Sequence, residues 1–306
     1  MAIGLKIEMY NKLPKRFFCI LFLCGNVLLL AASTPYEAYI DSVVEASMSS
    51  PIVKRAPINV DKQTLLRTVN ESSWFTVGND NYFCTGIPFD RQINKNTADA
   101  KYQVSAQVRI TKCVLPLNSY LALRYTQRSF WDIYKFSSPF RDNNYNPAVG
   151  VVTPVFKNNA LLGVFNLFLE HDSNGRDSVF SRSQNLISAS FRYYLNPKVS
   201  VQFKAWGAVL AVENDDLYDY RGFCSLALNL RNKTGRVMAT FNANPNLNFR
   251  RWNITADLNF QVSKKLEQYV FVQIFEGYAE SFLNYNKYAA MIRAGFCFKP
   301  HFISIQ

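Results

Sequence analysis

Three residues suited to nucleophilic catalysis lie close together in the sequence: His171, Ser173 and Asn185. A serine hydroxyl becomes a good nucleophile when an imidazole takes its proton, and that imidazole needs an acceptor on its other nitrogen. The Asn185 carboxamide can be this acceptor without adding a negative charge, which suits a site of low dielectric constant. The chain has only two histidines, and the other is His301. We therefore predict Ser173 as nucleophile, His171 as general base and Asn185 as the residue that orients the imidazole.

Side-chain alternation predicts how a β-hairpin positions these residues. A turn around residue 178 would place His171 opposite Asn185, where directly opposed Cβ atoms are about 5 Å apart. His171 and Ser173 are two residues apart on one strand, so they share a face, with Cα atoms about 6.7 Å apart. A polar rim at a strand end would also explain an H-x-S pattern, but not why it continues an apolar stripe. That stripe comprises Leu161, Gly163, Phe165, Leu167 and Leu169.

Period-two alternation over long segments predicts the fold class: all-β, a transmembrane antiparallel β-barrel of about twelve strands in an outer membrane. A soluble β-sandwich also alternates, but its strands are usually about 5–6 residues long. An even number of strands permits closure of a barrel. The predicted strands are 73–84, 102–111, 118–130, 147–157, 161–173, 185–195, 199–212, 220–231, 235–243, 252–262, 267–278 and 287–298.

The chain divides into four predicted segments. Residues 1–33 have basic residues, an apolar run and the small residues Ala31-Ala32-Ser33, as in a secretory signal peptide. A single membrane anchor and a lipoprotein signal at Cys24 are the alternatives. Residues 34–72 are predicted to form a periplasmic N-terminal segment or plug, 73–298 the barrel, and 299–306 a C-terminal tail.

Charge and cysteine content limit the function further. The net charge of +12 would fall to +9 without residues 1–33. Such an excess suits an anionic lipid surface or is simply a solvated surface, and an exported chain is not expected to bind nucleic acid. Four cysteines remain after residue 33, without a C-x-x-C pair or histidine clustering, and we interpret them as small apolar side chains: Cys84, Cys113, Cys224 and Cys297.

Three groups of motifs resemble the outer membrane phospholipase A family. The resemblance covers most of the chain after residue 33 and is strongest over 120–195. The first group is YTQRSFW at 125–131, SSPFR at 137–141 and NYNP at 144–147. The second is H-x-SNGR at 171–176 with SRS-x-N at 181–185. The third is GY-x-ES at 277–281 with Tyr285-Asn286.

This resemblance implies a calcium-dependent phospholipase A1/A2 that is active as a homodimer. It would hydrolyse acyl esters of phospholipids and lysophospholipids through an acyl-enzyme, with Ser173, His171 and Asn185 as its catalytic triad. Ca²⁺ would be held by the Arg176 carbonyl and the Ser181 hydroxyl, with Ser137 from the partner subunit. The Gly175 amide and calcium-bound water would stabilise the oxyanion. Neutral oxygens are reasonable ligands for a hard cation.

Three of these positions also have simpler interpretations. Gln127 matches a polar residue of the family's dimer contact, but it would equally suit the barrel lumen. Arg176 could be an ordinary loop arginine, and Gly175 a turn glycine as well as an oxyanion donor. The order Asp177-Ser178 departs from the family pattern, which puts a second calcium site in doubt. The segment from Gln127 to Ser137 is slightly shorter than in the family pattern, so the edge of the dimer contact would differ.

Two other functions are compatible with parts of the sequence. A non-enzymatic barrel, either a small channel or an adhesin, would give the motifs no catalytic role. A lumen filled by residues such as Arg109, Lys204 and Arg293 would argue against a wide pore. A soluble periplasmic esterase is disfavoured because the chain lacks a G-x-S-x-G nucleophile elbow.

Overall fold

The computed structural model describes residues 35–48, 55, 58–209, 214, 216–263, 266–301 and 303–305. The predicted signal peptide, 1–33, lies outside them. The helices are α1 (Pro35–Ser47), α2 (Lys62–Glu71) and α3 (Leu217–Arg221). The strands are β1 (Ile58–Asn59), β2 (Phe75–Thr76), β3 (Asn81–Pro88), β4 (Asp99–Arg109), β5 (Tyr120–Trp131), β6 (Phe140–Lys157), β7 (Ala160–Ser173), β8 (Ser183–Asn196), β9 (Val199–Ala208), β10 (Cys224–Arg231), β11 (Val237–Pro245), β12 (Trp252–Ser263), β13 (Leu266–Gly277) and β14 (Ala289–Phe298).

Within the described residues, the twelve long strands β3–β14 form a closed antiparallel barrel. Each strand pairs with its neighbours in sequence, and β14 pairs with β3 to complete the ring. Closure leaves no free sheet edge, so the backbone hydrogen bonds are satisfied between strands, as a lipid environment requires. The predicted fold class is therefore confirmed.

The two faces of the barrel differ in polarity. Outward side chains of β7 such as Phe165, Leu167 and Leu169 are exposed, whereas Glu170 and Asp172 on its other face are buried. Apolar outside and polar inside is the pattern of a membrane barrel. None of the described helices combines the length and the apolar character needed to cross a bilayer.

The predicted strand 73–84 is wrong in its bounds. The chain forms the two-residue strand β2, which pairs with β4, and resumes as β3 only at Asn81. Gly78-Asn79-Asp80 between them are turn-forming residues. The Asn79 amide donates to the Ser105 hydroxyl at 3.0 Å, so a side chain replaces a ladder hydrogen bond there.

Two further predicted strands differ from the structure. The segment 220–231 starts as the end of α3, and β10 begins only at Cys224, after Gly222 has broken the helix with a φ of 73°. The segment 147–157 is the second part of β6, which already begins at Phe140. After Phe140, β6 continues with polar residues on both faces, Arg141 to Asn144, so no apolar alternation marks its start. The end of the predicted strand 199–212 lies partly outside the described residues, since β9 ends at Ala208.

Residues before the barrel form helices that the sequence analysis did not predict. In α2, the Asp61 side chain caps the helix by accepting from the Thr64 amide at 3.1 Å. The Arg109 guanidinium of β4 donates to the Ser72 carbonyl at 3.0 Å, just beyond the helix end. Apolar residues of α1 and α2 pack against lumen-facing residues of β5–β8; the cluster includes Tyr36, Ile40, Val44, Leu65, Val69, Ala122, Val152, Val164 and Phe168.

The C-terminal tail joins the same cluster. Ile303 and Ile305 have no exposed surface, and three tyrosines donate to tail carbonyls: Tyr36 to Ile303 at 3.0 Å, Tyr120 to Ile305 at 2.8 Å and Tyr194 to Ser304 at 3.1 Å. His301 Nε2 lies 2.9 Å from Asp41 of α1, and this hydrogen bond lowers the pKa of the Asp41 carboxyl. Helices α1 and α2 and the tail together fill one end of the lumen.

This arrangement makes the tail a stabilising element. Ile303→Ala would leave a cavity in the cluster and should lower the free energy of unfolding by about 2–4 kcal/mol. Val114→Ala is the control: Val114 is 72% exposed, so its truncation should change stability by less than about 0.5 kcal/mol. Equilibrium unfolding in detergent micelles measures both. Equal, small effects would show that the tail does not contribute to the core.

Candidate active site

The hairpin of β7 and β8 brings His171 and Asn185 together. The register pairs them directly, as the predicted turn around residue 178 requires. His171 Nδ1 lies 2.9 Å from Asn185 Oδ1. Because a carboxamide oxygen can only accept, the imidazole donates from Nδ1, and this hydrogen bond selects the tautomer with a free lone pair on Nε2.

Ser173 lies at the end of the same strand. Its partners in the ladder are Tyr145 on β6 and Ser183 on β8. His171 and Ser173 are both partly exposed and continue the outward stripe of Phe165, Leu167 and Leu169. Within the described residues the Ser173 hydroxyl makes no hydrogen bond to His171; in free enzymes such contacts are often long and tighten when substrate binds.

The turn after Ser173 is organised by Asn174, whose role the sequence analysis missed. Its side chain is buried, and its Oδ1 accepts from the Arg182 amide at 3.0 Å and from the Arg176 amide at 3.3 Å. Its Nδ2 donates to the Phe180 carbonyl at 2.9 Å. A short amide side chain in a turn was the available signal, since asparagine commonly bonds to nearby backbone groups there.

Gly175 occupies a position that only glycine fills easily. Its φ is +63°, in the left-handed region that disfavours other residues. A Cβ atom there would lie 2.8 Å from the Tyr145 ring. In the described part of the chain, the Gly175 N–H donates no hydrogen bond, so it is available to an oxygen near Ser173.

The calcium ligands suggested by the resemblance lie around the same turn. Arg176 donates through its guanidinium to the Arg141 carbonyl at 2.6 Å, and no hydrogen bond within the described residues ends on its own carbonyl. Ser181 follows a short 3-10 turn, Ser178–Phe180, and lines an open cleft of about 610 Å³ together with Asn214. Both groups offer neutral oxygens, which suit a hard cation. The described residues contain no cluster of three or more His, Cys, Asp or Glu side chains arranged to bind a metal.

Ser137 lies in a different loop, between β5 and β6. It is exposed, with a φ of 61°, and the loop is anchored by Trp131 Nε1, which donates to the Ser138 carbonyl at 2.8 Å. In the described part of the chain Ser137 makes no hydrogen bond to Arg176 or Ser181. The structure therefore brings His171 and Asn185 into contact, whereas in the described residues it shows no hydrogen bond that joins Ser137 to the other proposed ligands.

Gln127 points outward from β5, which rules out the lumen-facing interpretation. Its neighbours at two-residue spacing, Leu123 and Tyr125, are exposed, whereas Arg124 and Thr126 line the lumen. The Gln127 amide is hydrogen-bonded to Tyr125 and Ser129, each at 3.1 Å. A polar side chain on the outer face is unusual for a membrane barrel and fits a protein contact within the membrane.

The lumen is too crowded for a wide pore. Arg293 bonds to Asp99 and Glu280, and Lys204 to Glu170, so charged residues occupy the lumen as the argument against a wide pore requires. The remaining polar cavity is about 580 Å³ and is lined in part by tail residues. The four cysteines of the described barrel region are free thiols, three of them buried, which agrees with their interpretation as small apolar side chains.

The fold defines a class: an outer-membrane β-barrel, here with His171, Ser173 and Asn185 together on its outer face. The sequence matches the family model for phospholipase A1 over residues 74–298. The chain therefore belongs to the phospholipase A1 family, and it is an outer-membrane phospholipase. This excludes the non-enzymatic barrel and the soluble esterase.

Individual relatives agree with this assignment. Phospholipase A1 of Klebsiella pneumoniae is 29% identical over 203 residues, which cover 65% of this chain and 69% of that protein. Phospholipase A1 of Escherichia coli K12 is also 29% identical, covering 65% and 68%. A putative phospholipase A1 of Neisseria meningitidis is 30% identical over 62% of this chain and 51% of its own length.

Two solved structures share the fold. Outer membrane phospholipase A from E. coli superposes with a TM-score of 0.67 at 24% identity, covering 74% of this chain and 99% of that one. The calcium-bound dimer of the Salmonella typhi outer membrane phospholipase gives 0.66 at 24% identity, covering 74% and 92%.

The geometry at Gly175 predicts a sensitive position. Gly175→Ala adds a Cβ in a left-handed conformation and against Tyr145, so the turn must shift and phospholipase activity should fall at least about tenfold. Gly207→Ala is the matched control, because a Cβ there meets no atom within 4 Å and its φ is not positive. Initial rates on mixed micelles measure both variants. Similar rates for the two would contradict the requirement for glycine at 175.

Proposed function

We propose that the chain is a calcium-dependent phospholipase that cleaves acyl esters with Ser173, His171 and Asn185. The observation that carries this proposal is the 2.9 Å contact between His171 Nδ1 and Asn185 Oδ1 on the outward face. Because Nδ1 is engaged, Nε2 is the nitrogen left to accept a proton, and Ser173 follows two residues along the same face.

The proposed reaction has two steps. Ser173 Oγ attacks the ester carbonyl carbon while His171 Nε2 takes the hydroxyl proton. The bond to the glycerol oxygen then breaks, that oxygen leaves with the proton from His171, and the acyl group stays on Ser173. Water then attacks the acyl carbon while His171 Nε2 takes a proton from it. The bond from the acyl carbon to Ser173 Oγ breaks, the fatty acid leaves, and His171 returns the proton to Ser173 Oγ. Asn185 holds the imidazole in one orientation throughout.

The backbone at Gly175 is suited to stabilising the oxyanion. The Gly175 N–H has no acceptor within the described residues, and Gly175 comes two residues after Ser173 in the sequence. One well-placed donor of this kind contributes about 3 kcal/mol to transition-state stabilisation. Gly175 has a left-handed φ and lies beyond the last register pair of the β7–β8 ladder, Ser173 with Ser183.

The residues present fit a calcium ion. The Arg176 carbonyl accepts no hydrogen bond in the described part of the chain, and the Ser181 hydroxyl belongs to the same turn. When bound, Ca²⁺ would supply positive charge beside the developing oxyanion. The Salmonella typhi relative was solved as a dimer with bound calcium, which supports a similar assembly here. A second calcium site is not part of this proposal.

A homodimer would let Ser137 of one copy reach the turn that carries Arg176 and Ser181 in the other copy. We place Ser137 as a ligand to the calcium of the partner subunit and Gln127 as an amide in the subunit contact. A polar group within a membrane favours a protein partner over lipid. Activity would then require two copies of the chain.

The substrates in this proposal are phospholipids and lysophospholipids, cleaved at either acyl position. The triad lies on the outward face above Leu167 and Leu169, so a lipid reaches Ser173 from the bilayer with its acyl chains along the barrel wall. Because the lumen is lined by polar and charged side chains, it offers no apolar route for an acyl chain.

Replacing the nucleophile tests the triad. Ser173→Ala should lower fatty-acid release from phospholipid micelles by at least about 10⁴-fold, because the acyl-enzyme cannot form. Ser183→Ala is the control: Ser183 is the register partner of Ser173 on β8 and has no proposed catalytic role. It should keep the wild-type rate within about twofold. Residual activity of Ser173→Ala near that of Ser183→Ala would rule out Ser173 as nucleophile.

Mixing two inactive variants tests the shared calcium site. Ser137→Ala should lose calcium-stimulated activity because its partner's metal lacks a ligand. In a mixture of Ser137→Ala and Ser173→Ala, each heterodimer retains one complete site, so random exchange should restore about a quarter of wild-type activity. A chelator should abolish the restored activity. No recovery, despite heterodimers detected by cross-linking, would exclude Ser137 as a ligand in trans.

A further inference from the structure

Asp172 lies between the proposed base and nucleophile in sequence but points the other way. Its side chain is on the lumenal face of β7 and the residue is 5% exposed. Asp172 Oδ1 accepts from Asn146 Nδ2 of β6 at 2.6 Å. Asp172 Oδ2 pairs with Arg221 Nη2 at 2.5 Å. Within the described residues, Arg221 is the only cation within salt-bridge distance of Asp172.

Arg221 reaches Asp172 from a distant part of the chain, 49 residues away. It ends α3, which precedes β10, and its guanidinium stacks on Phe282 and Trp206, with centroid distances of 5.0 and 5.7 Å. The helix end is fixed by Trp206 Nε1, which donates to the Gly222 carbonyl at 3.0 Å, and by Asn253 Nδ2, which donates to the Tyr220 carbonyl at 2.7 Å. Arg221 is therefore held by groups from several strands before it meets Asp172.

The position of this ion pair matters for the outward face. Side chains alternate along a strand, so the Asp172 backbone joins His171 to Ser173 directly. A buried carboxylate that loses its cation must find water or another partner, and the strand end would move with it. Displacements of about 1 Å at reacting groups can cost 10²-fold in rate.

The carboxylate below Asp172 on the same face is held differently. Glu170 bonds to Lys204, Ser188 and Asn146 and lies 3.6 Å from Arg124. With several partners on four strands, Glu170 tolerates the loss of one of them. Asp172, at the strand end, depends on a single cation.

We infer that Arg221 is a positioning residue for the hydrolytic reaction: through Asp172 it fixes the strand segment that sets His171 against Ser173. The inference rests on the proposed function, because it assumes that these two residues react together. Arg221 is on the lumenal side and touches no substrate, so its loss should lower kcat and leave KM nearly unchanged.

The test compares Arg221→Gln, Arg221→Lys and Lys299→Gln as full-length refolded proteins. Lys299 forms another lumenal ion pair, with Asp80, that involves neither β7 nor β8. Rates are normalised to the folded fraction seen by gel mobility of unheated samples. Arg221→Gln should lower kcat at least about tenfold with KM within about twofold. Arg221→Lys keeps the charge and should recover part of kcat, and Lys299→Gln should keep kcat within about twofold.

The outcomes separate this inference from the proposed function. Ser173→Ala is assayed in parallel, and if it stays active, the proposed triad fails and the inference with it. If Ser173→Ala is inactive but Arg221→Gln retains wild-type kcat, only the inference is overturned. An equal loss of kcat in Lys299→Gln would also overturn it, because the effect would then be general to lumenal ion pairs. If Arg221→Gln does not fold, Arg221→Lys is compared with Lys299→Gln. A lower kcat in Arg221→Lys alone supports the inference, and equal kcat values in the two variants overturn it.

Discussion

The backbone ladder between β7 and β8 fixes which side chains meet across the hairpin and on which face of the barrel they lie. Its register sets His171 opposite Asn185 and continues without a shift from Gly163 to Ser173. A slip of one residue would move His171 and Ser173 into the lumen and turn Glu170 and Asp172 toward lipid. Because charged groups are costly on a lipid-facing surface, the register that displays His171, Ser173 and Asn185 is also the one that the membrane favours.

Contacts inside the barrel, both polar and apolar, hold the strands that carry His171, Ser173 and Asn185. Ion pairs such as Arg293–Asp99 and Lys204–Glu170 join strands across the inside of the barrel, where an uncompensated charge would be strongly destabilising. At one end, α1, α2 and the tail replace polar contacts with an apolar cluster.

Local sequence patterns predicted the barrel and the central pair of the site, but they did not predict contacts between residues far apart in the chain. Alternation identified the barrel and the pairing of His171 with Asn185, because both follow from a period of two and a short turn. The tail cluster joins Tyr36 to Ile303, 267 residues apart, which no local pattern encodes. The same holds for Arg221 and Asp172. The start of β6 was missed because polar residues follow Phe140 on both faces of the strand. Asn174 was missed because an asparagine in a turn does not by itself show which backbone groups it bonds.

The most direct test of the central claim is covalent labelling of the refolded protein with an alkylsulfonyl fluoride in the presence of calcium, followed by peptide mapping. Such reagents sulfonylate a serine activated by a neighbouring base. The account predicts one modified residue, Ser173, and loss of labelling in His171→Ala. Modification of a different serine, or equal labelling of Ser173 in His171→Ala, would contradict it.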